Sequence, residues 1–183
     1  KYVAAGIVGN NKEVFYIGTV PTDVVYSLSG LMDLPGMIIT ASHNPKEWNG
    51  FKFCNSGAAP IGIESGLLEI KKLASKNYNT PIELVEVIKE EVIPSYINHL
   101  KTIVQPDNIN SSIKFAIDGG NGAIGSVIKS ISSEYNLNYQ GIYMDVDGNF
   151  PNHPADPSNP ENLVELVNLV LKNKYEFGVA FDG

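Results

Sequence analysis

The sequence predicts an α/β fold, and three observations carry that expectation. Strand-like runs rich in β-branched and aromatic residues alternate with helical patterns along the chain. Most of the strand-like runs are almost continuously apolar, as parallel strands buried on both faces tend to be. Near the C-terminal end, Asn159 can cap a helix whose first position suits Pro160, and Leu163, Leu166, Val167, Val170 and Leu171 then make one apolar stripe.

In chain order, Lys1 to Gly6 reads as the interior of an α/β unit, and strands are expected at Glu13 to Val20, Gly36 to Thr40, Ser112 to Asp118, Leu137 to Met144 and Glu176 to Asp182. Helices are expected at Pro21 to Met32, Ile61 to Lys76, Ile82 to about Val104 with a break at Pro94, Gly122 to Tyr135, and Pro160 to Lys174. The polar stretch Gln105 to Ser111 separates a helix from a new strand and divides the chain into two α/β domains, 1–105 and 106–183. The run Asn149 to Pro160, "NFPNHPADPSNP", excludes a helix and predicts an ordered loop.

Of 183 residues, 43% are hydrophobic, enough to bury a core, and no apolar run is long enough to span a bilayer. The lone Cys54 cannot form an internal disulfide; it suits a reducing compartment, so a cytoplasmic protein is expected, with Cys54 a half-buried thiol. A net charge of −7 repels nucleic acid and anionic membranes, neither of which is expected as a partner. All thirteen basic residues are lysines, so the chain offers no planar bidentate fork for phosphate.

The loop "TASHNP", Thr40 to Pro45, follows an apolar run and places Ser42 and His43 side by side. A Ser-His hydrolase dyad is disfavoured, because neighbours on an extended segment point to opposite faces and the glycine-flanked nucleophile elbow is missing. A phosphoryl-carrying Ser42 fits better. Ala41 leaves room, the turns at Asn44-Pro45 and Asn49-Gly50 can aim amides at an anion, and Lys52 can supply a charge or a titrating amine. An ordinary surface turn remains open on composition alone. Gly120-Asn121-Gly122-Ala123-Ile124-Gly125 matches the dinucleotide fingerprint, with Asp145 where a ribose-binding acid would stand. Against nucleotide binding, Asp118 puts negative charge beside the pyrophosphate position, and a tight strand-to-helix turn explains the glycines equally well. His153 has no second ligand at metal spacing and reads as a hydrogen-bonding histidine. Trp48 is either an exposed lid or a loop anchor.

Taken together, five blocks resemble the α-D-phosphohexomutase superfamily in its phosphomannomutase/phosphoglucomutase branch: "GTVPTDVV" (18–25), "GMIITASHNPKEWNGFKF" (36–53), "FAIDGGNGAIG" (115–125), "DGNFPNHPADPSNPENL" (147–163) and "GVAFDG" (178–183). The resemblance implies two consecutive three-layer α/β/α domains with mixed, mostly parallel sheets, both incomplete. It implies that Ser42 carries the phosphoryl group moved between the 1- and 6-positions of a hexose phosphate through a bound bisphosphate. It also implies Mg²⁺ held by Ser42 and Asp182, a hexose 1,6-bisphosphate activator, a proton-transferring Lys52 and a positioning His43. The glycine turn binds no dinucleotide in this family. The chain stops before the rest of the metal loop, so it is expected to be inactive by itself. A Rossmann-type nucleotide-binding domain and a non-catalytic sugar-phosphate-binding module are the alternatives; which hexose is used, and the oligomeric state, are not readable.

Overall fold

The computed structural model describes residues 1–76, 83–104 and 109–183. The first half runs α1 (Tyr2–Val8), α2 (Thr22–Met32), β1 (Gly36–Ile39), β2 (Phe51–Asn55), β3 (Ala59–Pro60) and α3 (Leu67–Ala74). The second runs α4 (Ile93–Ile103), β4 (Lys114–Asp118), α5 (Gly125–Tyr135), β5 (Asn138–Ile142), a 3₁₀ turn (Pro160–Leu163), α6 (Val164–Asn173) and β6 (Phe177–Ala180). The two sheets differ in kind. The first is antiparallel, in the order β1-β2-β3, with Gly36 opposite Cys54. The second is parallel, in the order β5-β4-β6, so β4 is its centre and its last residues, Ala116 to Asp118, are buried.

One apolar cluster reaches across both halves. Val24 and Leu28 of α2 meet Tyr96 and Ile97 of α4, which continue into Ile117 of β4 and Val127 of α5. Helix α4 is the joint, packing on α2 on one side and α5 on the other. Pro94 does not break this helix as expected. It lies in the first turn, where its missing N–H would have no partner anyway, so it opens α4. The expected helical start at Ile82 and the expected boundary at 105/106 lie outside the described residues, and Leu84 to Glu91 carry no helix.

Other differences have local causes. The expected strand Glu13 to Val20 is reduced to a single bridge between Tyr16 and Lys89, because Gly18 turns to φ +77° and ends the extended run. Strands β2 and β3 are not evident from sequence because "FKFCN" mixes polar with apolar residues and is followed at once by a turn at Gly57. Cys54 is buried, not half-buried: a Cβ on Gly36 would stand 2.8 Å from its Sγ, so the pair packs only with glycine opposite the thiol. Asn159 does cap, accepting from the Glu161 amide at 3.1 Å. The α6 stripe is only half used. Leu166 and Val170 cover Gly178 of β6, while Val167 and Leu171 overhang this edge strand and remain exposed.

Because the cluster is shared, the two halves should unfold together. Val24→Ala and Val127→Ala each delete two fully enclosed methyl-sized groups, and each should cost about 2 kcal/mol once the cavity is included. In urea denaturation followed by far-UV circular dichroism, both variants should shift one common transition; two separately shifted transitions would contradict a shared core.

Candidate active site

The loop Thr40 to Gly50 joins β1 to β2 and is closed at its base by the Thr40 amide on the Gly50 carbonyl, 3.0 Å. Inside it the chain turns sharply. Ser42 adopts φ +54°, a left-handed conformation costing a non-glycine residue about 1–2 kcal/mol, and its amide donates to Thr40 Oγ1 at 3.0 Å. That conformation overturns the assumption of an extended segment. Ser42 and His43 do not point to opposite faces; both reach one carboxylate. Ser42 Oγ donates to Asp182 Oδ1 at 3.1 Å, and His43 Nδ1 meets Asp182 Oδ2 at 2.9 Å. Serine and histidine make no hydrogen bond to each other among the described residues; each contacts Asp182 instead.

The remaining expected residues fall as follows. Lys52 stands exposed at the start of β2, opposite Ile38, and among the described residues it makes no hydrogen bond or ion pair with Ser42 or Asp182. The expected cradle of amides is largely consumed within the loop: the Asn44 amide donates to Ala41 O, the Trp48 amide to Pro45 O and the Gly50 amide to Asn49 Oδ1. Trp48 is 68% exposed.

Asp182 arrives from the second half, just beyond β6. The Phe181 amide donates to the Asp118 carbonyl at 3.0 Å and the Gly183 amide to the Ala155 carbonyl at 3.1 Å. Asp118, 1% exposed at the end of β4, accepts from the Gly120 amide at Oδ1 and pairs with His153 Nε2 at Oδ2, both at 2.9 Å. A carbonyl can only accept, so His153 Nδ1–H donates to Pro154 O at 2.7 Å, while Nε2 faces Asp118 Oδ2. His153 is thus the hydrogen-bonding residue its isolation in sequence suggests.

The same turn counts against the dinucleotide fingerprint. Three of its amides are spent within the protein: Gly120 on Asp118, Asn121 on Tyr143 O, Gly122 on Gly119 O. The glycines answer to crowding. A Cβ on Gly122 would lie 3.2 Å from Gly183 Cα, and one on Gly125 would collide with the Met144 carbonyl oxygen. Asp145 stands past β5 as the fingerprint requires, and its carbonyl accepts from Asn121 Nδ2 at 2.9 Å.

A second carboxylate, Asp156, acts on His43, and nothing in the sequence pattern singles it out. Held below the usual carboxylate range by the Ser158 side chain and amide, Asp156 adds its negative charge. His43 is raised above its ordinary 6.5, first by the hydrogen bond to Asp182, then by the charges of Asp182 and Asp156. A raised folded value means that stability from this contact is present below the ordinary histidine value and is lost as pH rises through the raised one. In NMR titration, His43 should therefore have its midpoint above 6.5, and Asp182→Asn should bring it down; an unmoved midpoint would exclude the contact.

Among the described residues, no group of three or more His, Cys, Asp or Glu could hold a metal ion. No described helix is long and apolar enough to cross a membrane. The family described as "Phosphoglucomutase/phosphomannomutase, alpha/beta/alpha domain I" matches residues 1–80, and the corresponding domain II description matches 94–183. A phosphomannomutase of Vibrio cholerae is 34% identical over 99% of this chain and 40% of its own length. A phosphomannomutase of Methanocaldococcus jannaschii is 38% identical over 93% of this chain and 38% of its own. The crystal structure of a phosphoglucomutase/phosphomannomutase family protein from Burkholderia thailandensis superposes with a TM-score of 0.71 at 28% identity, over 98% of this chain and 39% of that one. The chain spans about 40% of the length of the curated relatives it matches. With two α/β/α domains matched in order, the chain belongs to the phosphoglucomutase/phosphomannomutase family.

Proposed function

We propose that this chain carries the phosphoryl-transfer site of a hexose-phosphate mutase, with Ser42 as the phosphoryl carrier. The observation that carries the reading is the convergence of Ser42, His43 and Asp182, residues about 140 positions apart, at hydrogen-bond distance. In the reaction, the bond between Ser42 Oγ and phosphorus breaks as a sugar hydroxyl takes the phosphoryl group and loses its proton. The resulting bisphosphate turns over, and its other phosphate returns to Ser42, so phosphate moves between the 1- and 6-positions.

The charges around Ser42 support that role. A phosphoryl group brings about −1.5 to −2 charge beside the Asp182 carboxylate. His43, whose charged form two carboxylates favour, can offer a compensating charge at the same place. Asp182 and a phosphorylated Ser42 are hard oxygen donors of the kind Mg²⁺ takes, though two donors do not complete a site. When bound there, Mg²⁺ would neutralise charge on the transferring group. Lys52, unpaired with this cluster, is free to meet the sugar oxygens as the proton-transferring amine.

The test is peptide-level mass spectrometry after incubation with a hexose 1,6-bisphosphate. One phosphoryl mass on the Thr40 to Lys46 peptide is expected, absent in Ser42→Ala; a peptide never phosphorylated under any condition would leave only a sugar-phosphate-binding turn. The 183 residues contain no arginine and span about 40% of the relatives' length, so no turnover of glucose 1-phosphate is expected from them alone. A coupled assay on the purified chain checks this, and measurable turnover would overturn it.

A further inference from the structure

Asp182 is suspended between two backbone anchors of different origin. On one side, the Phe181 amide bonds to the end of β4, at the Asp118 carbonyl; on the other, the Gly183 amide bonds to Ala155 in the proline loop. The sheet therefore fixes only half of the geometry that aims this carboxylate. We propose that the proline loop is the seat of Asp182, with Ala155 and His153 as positioning residues for the site. This rests on the phosphoryl-transfer reading only in treating the Ser42–His43–Asp182 cluster as the reacting centre.

The seat is tight. Ala155 is 2% exposed; a Cβ on Gly183 would lie 2.5 Å from the Ala155 Cβ, and one on Gly122, beneath, 3.2 Å from Gly183 Cα. Gly183 passes between the two where a side chain would not fit. The loop that carries Ala155 is itself pinned from below. His153 ties it to the buried Asp118 at 2.9 Å, and Asn152 Nδ2 donates to Asn121 Oδ1 at 2.8 Å. From the far side, Asn162, itself buried, donates through Nδ2 to the Asp156 carbonyl at 2.8 Å. The anchors on both sides of Asp182 thus run back to one residue: Asp118 holds Phe181 through its carbonyl and the proline loop through its carboxylate. Displacing the loop moves Gly183, turns the Asp182 side chain, and separates it from Ser42 and His43.

The test needs no turnover. In long-range ¹H–¹⁵N spectra of the 183-residue chain at one fixed pH, the His43 Nδ1 resonance reports its hydrogen bond to the Asp182 carboxylate, and Asp182→Asn supplies the value for an imidazole without a carboxylate partner at that position. Ala155→Val and His153→Ala should each move the resonance in the direction of Asp182→Asn, with the backbone amides of β1 and β2 unmoved. His153→Gln, whose side-chain N–H can still donate to Asp118, should restore much of the native position, which a loss of general stability would not explain. Should Ala155→Val fail to fold, Gly122→Ala presses on the same Gly183 backbone by only a few tenths of an ångström and carries the same readout. A His43 resonance that stays native in the loop variants while Asp182→Asn shifts it overturns the proposal, as does an Asp182→Asn variant with no shift at all. Failure of the phosphoryl-transfer reading would appear instead as an unphosphorylated Ser42 peptide, with these spectra behaving as expected.

Discussion

Burying a carboxylate costs several kcal/mol unless its oxygens find donors, and at Asp118 both do: the Gly120 amide on one side and His153 on the other. The compensation is what organises this end of the molecule. Satisfying Oδ1 forces the chain to fold back at once into the glycine turn, and satisfying Oδ2 draws in the proline loop from thirty-five residues away. The main chain of the same residue receives Phe181. Three segments that share no sequence neighbourhood are thereby registered to one another at the C-terminal edge of a parallel sheet, where open α/β folds place their ligands. Removing one partner of such a pair leaves the other charge buried, so the arrangement tolerates little drift.

The alternation of elements and the position of the loop that holds Ser42 and His43 were legible in the sequence because they rest on local pattern. Five apolar runs and their helices announce an α/β chain; "TASHNP" announces a loop that is more than a connection. What was not legible depends on which segments meet. Gly18 decides by its backbone conformation that Glu13 to Val20 cannot be a strand, and nothing in an apolar run reveals that. Strands β2 and β3 exist because β1 offers them a ladder, not because their composition favours extension. Pro94 was visible, but whether a proline opens a helix or breaks one depends on whether the residues before it are helical, and here they are not. Asp156 was invisible as a site residue for the same reason. Its effect on His43 crosses more than a hundred residues, and only the fold brings the two together.

The dinucleotide fingerprint shows how one pattern of glycines can serve opposite ends. In a nucleotide site the glycines let a pyrophosphate approach free amides; here Gly122 lets the protein's own backbone approach, at Gly183, and the amides of Gly120, Asn121 and Gly122 are already used. Spacing alone cannot separate the cases, because what it encodes is the absence of side chains and not the identity of whatever fills the space. The buried Asp118 was the readable clue, since an uncompensated negative charge repels a pyrophosphate. In the folded chain it does more, by removing the first amide of the turn from any anion's reach.

The order of contacts at the centre of the site also constrains the chemistry. In a nucleophilic triad the imidazole stands between serine and aspartate and takes the hydroxyl proton. Here the carboxylate stands between serine and imidazole, so His43 makes no contact through which it could deprotonate Ser42, and the same carboxylate favours its charged form. Such an arrangement suits an oxygen that alternates between a neutral hydroxyl, which the carboxylate can hold, and a charged phosphoryl ester, which the cationic neighbour can hold. Lysine supplies the chain's other cations as point charges, and with no arginine among 183 residues there is no fixed fork to grip a second phosphate. Under the reading proposed above, these residues carry out the transfer, and gripping the sugar's distant phosphate falls to groups with that geometry elsewhere.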